Sequence, residues 1–251
     1  MFEKKVVRKT FSIVIGFVVL FFIYHFPEFF QPFWITVVFK VGFLFVAVIV
    51  AKLQGWKWLE GYGISFSYNK WYIILLTGLL IGSGAFIISI IESIIFNTQK
   101  IQSIESLYFF LMHLPLTLLM TFFPSIAEDI LTRGYLYAYL KNVKPLLWAF
   151  ISAVIYVLNH IWRLNDDVSV LVYLFLLGLV LGISVCIKKS LWLAFGIHWG
   201  ANIVYELSNM GLKQITINNH NLSNWLLAMV WAIIFILLLI NYRKQLNINR
   251  G

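Results

Sequence analysis

Residues 168–187 read VSVLVYLFLLGLVLGISVCI, a run of 20 residues without a single charged side chain. About 20 apolar residues of α-helix are needed to cross the hydrocarbon core of a bilayer. Inside lipid, every backbone N–H and C=O group must find its partner within the protein, so a run of this length is predicted to be a helix and not a strand. The stretch therefore predicts a membrane-spanning α-helix.

Similar apolar segments lie on both sides of this run. The predicted spans are 10–26, 33–53, 71–96, about 108–140, 145–162, 168–187, 190–209 and 224–242. Only 12% of the residues are charged and 61% are hydrophobic, whereas a soluble domain has roughly 25% charged residues. We therefore expect an all-α fold, a polytopic membrane helix bundle with about eight transmembrane helices. It should form a single membrane domain over 1–251, with the lipid bilayer as a partner.

The distribution of basic residues predicts an orientation. With the N-terminus inside, the outer loops carry only Lys100, Arg163 and Lys213. The inner segments carry the larger set Lys4, Lys5, Arg8, Lys9, Lys52, Lys57, Lys70, Lys141, Lys144, Lys188, Lys189, Arg243, Lys244 and Arg250. Because cytoplasmic loops are enriched in Lys and Arg, we expect a multi-pass protein of the cell membrane with both termini cytoplasmic. The same rule explains the formal net charge of +9, so no nucleic-acid partner is expected.

The N-terminus, the cysteine content and the glycines add three expectations. The first apolar run is long and no small-x-small cleavage site follows it, so it is predicted to be an uncleaved first span. Cys186 is the only cysteine, which excludes an intrachain disulfide and a cysteine-rich metal site. The small residues of Gly78-x-x-x-Gly82 and Gly178-x-x-x-Gly182 are predicted to let their helices pack closely.

Ionisable residues inside a membrane span are costly and therefore point to function. The span 108–140 contains Glu128, Asp129 and Arg133. Asp129 and Arg133 have the helical spacing of an ion pair, and we expect this pair to neutralise itself for burial. Glu128 is turned about 100° from Asp129 around the helix axis and remains a candidate general base. Pro124 cannot donate a backbone hydrogen bond, which predicts a kink or opening just before Glu128.

Two other spans carry polar side chains that are candidates for the same site. Tyr156 and His160, in the fifth predicted span, share one helix face. His198 and Asn202, in the seventh, stack one turn apart and can donate hydrogen bonds to the same oxygen atom, as an oxyanion hole requires. The simpler alternative is a polar stripe that joins helices.

The depth of these side chains indicates whether they can meet. Counted from the nearest basic inner ends at ~1.5 Å per residue, Glu128, His160 and Asn202 lie ~20–22 Å deep, and His198 lies ~14 Å deep. The four side chains are therefore predicted to lie in one slab of the membrane about 10 Å thick, before any tilt.

These residues resemble, in order, the three motifs of the CPBP group, the CAAX proteases and bacteriocin-processing enzymes also called the Abi family. The first motif, Glu-Glu-x-x-x-Arg-Gly and an aromatic residue, here reads Glu128-Asp129-Ile130-Leu131-Thr132-Arg133-Gly134, with Tyr137 after it. The second, an aromatic-x-x-x-His, runs from Tyr156 to His160, and the third, His-x-x-x-Asn, from His198 to Asn202. They fall within roughly 108–205, and a protease-like core is expected at about 108–209. Two positions depart from the pattern, since Asp129 replaces the second glutamate and Tyr156 the usual phenylalanine.

The resemblance implies an intramembrane endopeptidase of the CAAX type, with a peptide or protein substrate that is membrane-associated or lipidated. It implies that Glu128 and His160 activate a water, with Glu128 as the general base. His198 and Asn202 would stabilise the oxyanion. Asp129, Arg133 and Tyr156 would support the site.

The expected enzyme needs no cofactor, and a zinc site is the alternative. Glu128, His160 and His198 could supply three zinc ligands around an open position. However, the sequence has no His-Glu-x-x-His helix, and Asn202 would be a poor zinc ligand. The metal-free form is therefore favoured.

Two other classes of function stay open. A catalytically inactive membrane scaffold or regulator could have the same fold, with the motifs only joining helices. A small-molecule transporter is less favoured, and its pathway would use Lys40, Glu92 and Glu128. Lys40 is expected to snorkel or to pair with an acid, and Glu92 and His113 to be solvated near the outer ends of their spans. The sequence does not identify the substrate, prenylated or not, or the oligomeric state.

Overall fold

The computed structural model of the chain describes residues 2–30, 32–217 and 220–248. Of the predicted inner charges, Arg250 lies outside the described residues, and the side chains of Lys4, Lys5, Arg8 and Lys9 lie outside the description as well.

The described residues form nine α-helices and two short strands. The helices are α1 Phe2–His25, α2 Phe33–Leu53, α3 Trp71–Ile95, α4 Leu107–Asp129, α5 Tyr135–Tyr139, α6 Pro145–Asn159, α7 Val168–Lys188, α8 Trp192–Gly211 and α9 His220–Ile248. The strands are β1 Gln99–Ile104 and β2 Leu212–Thr216. Three 3₁₀ turns cover Phe26–Phe29, Glu60–Tyr62 and Ile161–Arg163, and a π-helical turn covers Ile130–Gly134.

The helices confirm the all-α membrane bundle. Within the described part, six helical segments are long and apolar enough to cross a membrane, and the π turn joins α4 and α5 into one of them, Leu107–Tyr139. The helices α6 and α8 occupy the two remaining predicted spans. Helix α6 has only 15 residues, and α8 is less apolar because it carries the polar residues of the candidate site.

The glycine ridges pack as the sequence predicts. A Cβ atom added at Gly82 would lie 1.9 Å from the backbone oxygen of Ile197, and one at Gly78 would lie 2.6 Å from that of Leu193. These glycines therefore bring α3 against α8. In the same way, Gly178 meets the backbone of α6.

The structure differs from the sequence prediction on the side that we assign to the outer face. The strands β1 and β2 form a small antiparallel sheet in which Gln99 pairs with Thr216 and Ile104 with Leu212. The sequence analysis placed only loops here. The strands are short, and their pairing joins segments more than a hundred residues apart. No local sequence pattern therefore predicts the sheet.

The backbone around the first motif also differs from the prediction. Helix α4 continues through Pro115 and Pro124, and its irregular segment is the π turn, which follows Glu128 instead of preceding it. The fifth span ends earlier than predicted, because α6 stops at Asn159 and His160 caps it with φ −87° and ψ 57°. His160 therefore stands at a helix end and not within a helix.

Candidate active site

The four predicted catalytic residues come together in one cavity. A cavity of about 300 Å³ is lined by side chains that include Glu128, His160, His198 and Asn202. Glu128 comes from α4, His198 and Asn202 come from α8, and His160 is the residue that caps α6. The structure therefore brings the four predicted side chains to one place in the bundle.

Glu128 lies at the centre of the cluster and is only 6% exposed. Its Oε1 accepts a hydrogen bond from Nδ2 of Asn159 at 3.1 Å and lies 3.7 Å from Nδ1 of His160. Its Oε2 lies 3.7 Å from Nε2 of His198. Each carboxylate oxygen thus faces one imidazole, at a separation longer than a direct hydrogen bond.

His160 has one of its two nitrogens already engaged. Nδ1 lies 2.8 Å from the backbone oxygen of Tyr156, and since a carbonyl can only accept, Nδ1 is the donor. In the neutral ring Nε2 is then an acceptor. His160 is the more exposed of the two imidazoles, with 22% of its side chain accessible against 3% for His198.

His198 lies between the two acids of the first motif. Its Nδ1 is 3.3 Å from Oδ1 of Asp129, although without the alignment of a hydrogen bond, and its Nε2 faces Glu128. The hydroxyl of Tyr156 is 3.5 Å from the same Nε2. The side chain is fixed by burial and by polar neighbours on both ring nitrogens.

Asp129 and Arg133 form the self-neutralising pair that their spacing predicts. Nη1 of Arg133 donates to Oδ1 of Asp129, and both side chains are fully buried. The guanidinium also lies 4.6 Å from the centre of the Tyr156 ring, a cation–π distance. Asp129 therefore forms the ion pair with Arg133, and the Tyr156 ring packs against the guanidinium.

Asn202 lines the cavity one helical turn beyond His198, and part of its amide is engaged. Nδ2 donates to Oγ of Ser125 at 2.9 Å. A side-chain amide has two N–H donors, so this contact fixes the amide and leaves one N–H for another acceptor.

Two residues near Glu128 were not assigned a role from the sequence. Asn159 bonds Glu128 directly, and Nε2 of His25 lies 3.0 Å from Oδ1 of Asn159. His25 lies inside the first predicted span, 10–26, near its end, so the rule that intramembrane ionisable residues are functional could have singled it out. Its contact with Asn159, 134 residues away, has no local signal.

Two residues of the transporter alternative, Lys40 and Glu128, line different cavities. Lys40 donates to the backbone oxygen of Tyr24 at 2.9 Å and pairs with Glu28 at 3.8 Å, which confirms the expected pairing with an acid. Glu92 is half-buried on α3, and Lys40 lines a separate, mainly apolar cavity between α2 and α4.

The zinc alternative fits this arrangement poorly. Nδ1 of His160, the nitrogen that faces Glu128, donates to the backbone oxygen of Tyr156, so only Nε2 of this ring could bind a metal. Among the described residues, no group of three or more His, Cys, Asp or Glu side chains has a metal-binding arrangement. We therefore derive no step through zinc.

The fold and the site define a helical membrane protein in which a buried carboxylate lies between two histidines at a polar cavity. Residues 110–204 match the model of a protein family described as type II CAAX prenyl endopeptidase Rce1-like. The matched segment contains all three motifs and confirms the resemblance to the CAAX protease group. The match supports an intramembrane endopeptidase of the CAAX type in general. No curated protein matches the chain.

Proposed function

We propose that the protein hydrolyses peptide bonds of a membrane-associated or lipidated peptide or protein, with a water activated by Glu128 and His160. The observation that carries this proposal is the convergence of Glu128, His160 and His198 in one cavity, with each oxygen of the buried carboxylate 3.7 Å from an imidazole nitrogen. A carboxylate and histidines so placed suit proton transfer during hydrolysis.

The water would bind in the cavity, beside the cluster of Glu128, His160 and His198. A water hydrogen-bonded to Glu128 would lie ~2.8 Å from a carboxylate oxygen, in the cavity that this side chain lines. Since Nδ1 of His160 donates to Tyr156, Nε2 is the nitrogen of this ring that can accept a hydrogen bond from a water. As the water oxygen attacks the carbonyl carbon, Glu128 takes its proton and later delivers it to the leaving amine when the C–N bond breaks.

The opposite wall of the site would bind the developing oxyanion. An N–H at Nε2 of His198 and the second amide N–H of Asn202 are the two donors, and both residues line the same cavity. Nε2 of His198 faces the carboxylate oxygen Oε2 of Glu128, which only accepts, and this supports the tautomer in which Nε2 is the donor. Ser125 keeps the amide of Asn202 in place.

The proposal extends to the whole chain. We infer one membrane domain with a protease-like core at about 108–209, located in the cell membrane with both termini in the cytoplasm. The distribution of basic residues supports this orientation. No metal cofactor is needed for the steps above.

The test is peptide cleavage by the purified protein in detergent. The substrates are a fluorogenic peptide library and a panel of membrane peptides, with and without chelator, beside a His198→Ala variant. We expect the wild type to cut at least one peptide, with chelator causing no loss, and His198→Ala to lose most of the rate. Loss of cleavage in chelator that zinc restores would contradict the metal-free mechanism.

The scaffold alternative predicts a different result. In that case no peptide is cut, while variants of Glu128 and His198 keep the biological effect of the protein in its host. That pair of results would make the motifs structural and would overturn the proposal.

A further inference from the structure

A line of polar contacts joins the end of α1 to Glu128. His25, the last residue of α1, places Nε2 3.0 Å from Oδ1 of Asn159, the last residue of α6. Asn159 in turn donates Nδ2–H to Oε1 of Glu128. All three side chains are buried, with 4%, 8% and 6% exposure in the order His25, Asn159 and Glu128. The amide thus bridges an imidazole and the proposed general base.

The other side of His25 is held by an acid. Nδ1 lies 2.7 Å from Oε2 of Glu28. The same carboxylate oxygen accepts a hydrogen bond from Nε1 of Trp162 at 3.0 Å, two residues after His160. Glu28 also pairs with Lys40 of α2. It therefore fixes His25 and ties the turn after His160 to the N-terminal helices.

The orientation of the Asn159 side-chain amide matters to Glu128, because its nitrogen end donates hydrogen bonds and its oxygen end accepts them. An ionised carboxylate only accepts hydrogen bonds, so Glu128 needs the nitrogen end of the amide. Nε2 of His25 lies against the amide oxygen, which only accepts, and is therefore the donor in this contact. Its donor at Nε2 engages the oxygen end of the amide and keeps the nitrogen end on Glu128.

We propose that His25, held by Glu28, is a positioning residue that orients the Asn159 amide and through it aims the carboxylate of Glu128. The proposal rests on the proposed function of Glu128 as the general base. Both His25 and Glu28 lie outside the matched segment 110–204. Without the donor, the amide is free to turn and to set its oxygen against Oε1, which repels the ionised carboxylate. The chemical step then slows, whereas substrate binding does not change.

Two substitutions of similar polarity test this role. The amide nitrogen of His25→Gln reaches the position of Nε2, whereas that of His25→Asn reaches only the position of Nδ1. We expect His25→Gln to keep kcat within about threefold and His25→Asn to lower it about ten- to hundredfold, as for the loss of a hydrogen bond to a charged network. KM stays unchanged in both, and His113→Asn, a histidine on α4 away from the cluster, serves as the control.

A double variant shows whether His25 acts through the amide. If it does, His25→Asn causes no further loss of kcat in an Asn159→Leu background, because coupled residues are not additive. Equal rates for His25→Gln and His25→Asn, or full additivity with Asn159→Leu, would overturn the proposal.

A measurement that needs no substrate separates this proposal from the proposed function. In protein labelled with ¹⁵N-histidine, the ring signals of His25, assigned by their loss in His25→Gln, should move in Glu128→Ala and stay in place in Glu92→Ala. If the His25 signals do not move in Glu128→Ala, the proposed connection between His25 and Glu128 is refuted, even if the protein cleaves peptides. If the His25 signals move in Glu128→Ala but the protein cuts no peptide, the connection is supported and only the protease assignment is rejected.

Discussion

At the residue scale, the site depends on how one helix separates two adjacent acids. Glu128 faces the cavity and both imidazoles, whereas Asp129 is committed to Arg133. The shorter aspartate at the second position still reaches the guanidinium, so the departure from the family motif keeps the ion pair. The free acid and the neutralised acid therefore have different tasks, although they are neighbours in the sequence.

The ion pair predicts a large effect on stability. Among the described residues, Oδ2 of Asp129 and Nε and Nη2 of Arg133 have no hydrogen-bond partner, and the contact between Nη1 and Oδ1 joins the two charges. Arg133→Met leaves Asp129 buried and unpaired, and we expect a loss of about 3–5 kcal/mol in the free energy of unfolding. Thermal unfolding in detergent measures this loss.

The double variant Asp129→Leu with Arg133→Met is the matched control. Because it removes both charges together, it should recover much of the lost stability. A single variant as stable as the wild type, or a double variant that is less stable than the single one, would show that the pair has another role.

At the element scale, close helix contacts through glycine bring the site together. Gly196 and Gly200 of α8 meet the backbone oxygens of Leu75 and Leu79 of α3, at 2.4 Å from an added Cβ in each case. His198 lies between these two glycines along α8. The position of His198 in the cavity therefore depends on the approach of α3 to α8.

The glycine contacts predict a specific packing defect. Gly82→Val would push a side chain into the backbone of Ile197, whereas Gly84→Val, in the same helix, finds no atom within 4 Å of its Cβ. We expect Gly82→Val to lower the stability by at least about 1–3 kcal/mol, as overpacking does, and Gly84→Val to have little effect. Thermal unfolding of the two variants side by side measures the difference, and equal melting temperatures would contradict the packing.

Part of the fold and of the candidate site could be predicted from the sequence. The spans follow from apolar length, and the meeting of Glu128, His160 and His198 follows from their motifs and depths. The π turn after Glu128 was not predicted, because the one extra residue per turn leaves no mark in an apolar sequence. The contact of His25 with Asn159 depends on the end of α1 meeting the end of α6, which no local pattern encodes.

At the scale of the whole molecule, the two ends of the bundle differ in character. The segment 54–70, between α2 and α3, is predicted to lie on the inner side, and the β1–β2 sheet on the outer side. Helix α3, with 25 residues, separates them, and at ~1.5 Å per residue it is long enough to cross the bilayer.

The proposed orientation predicts opposite accessibility for two exposed serines. Ser67 lies in the segment 54–70 and Ser103 lies in β1. In a Cys186→Ser background, Ser103→Cys should react with a membrane-impermeant maleimide in intact cells, and Ser67→Cys should react only after the cells are opened. The reverse pattern would place both termini outside.

The central claim is that Glu128 is the base that activates water for peptide hydrolysis. The most direct measurement is the cleavage rate of Glu128→Gln beside the wild type, on any peptide that the wild type cuts, in the same detergent. A glutamine has nearly the same shape but cannot take a proton, so we predict a rate lower by at least about 10²–10⁴-fold, with a melting temperature close to that of the wild type. A folded Glu128→Gln protein that cleaves at the wild-type rate would contradict the account.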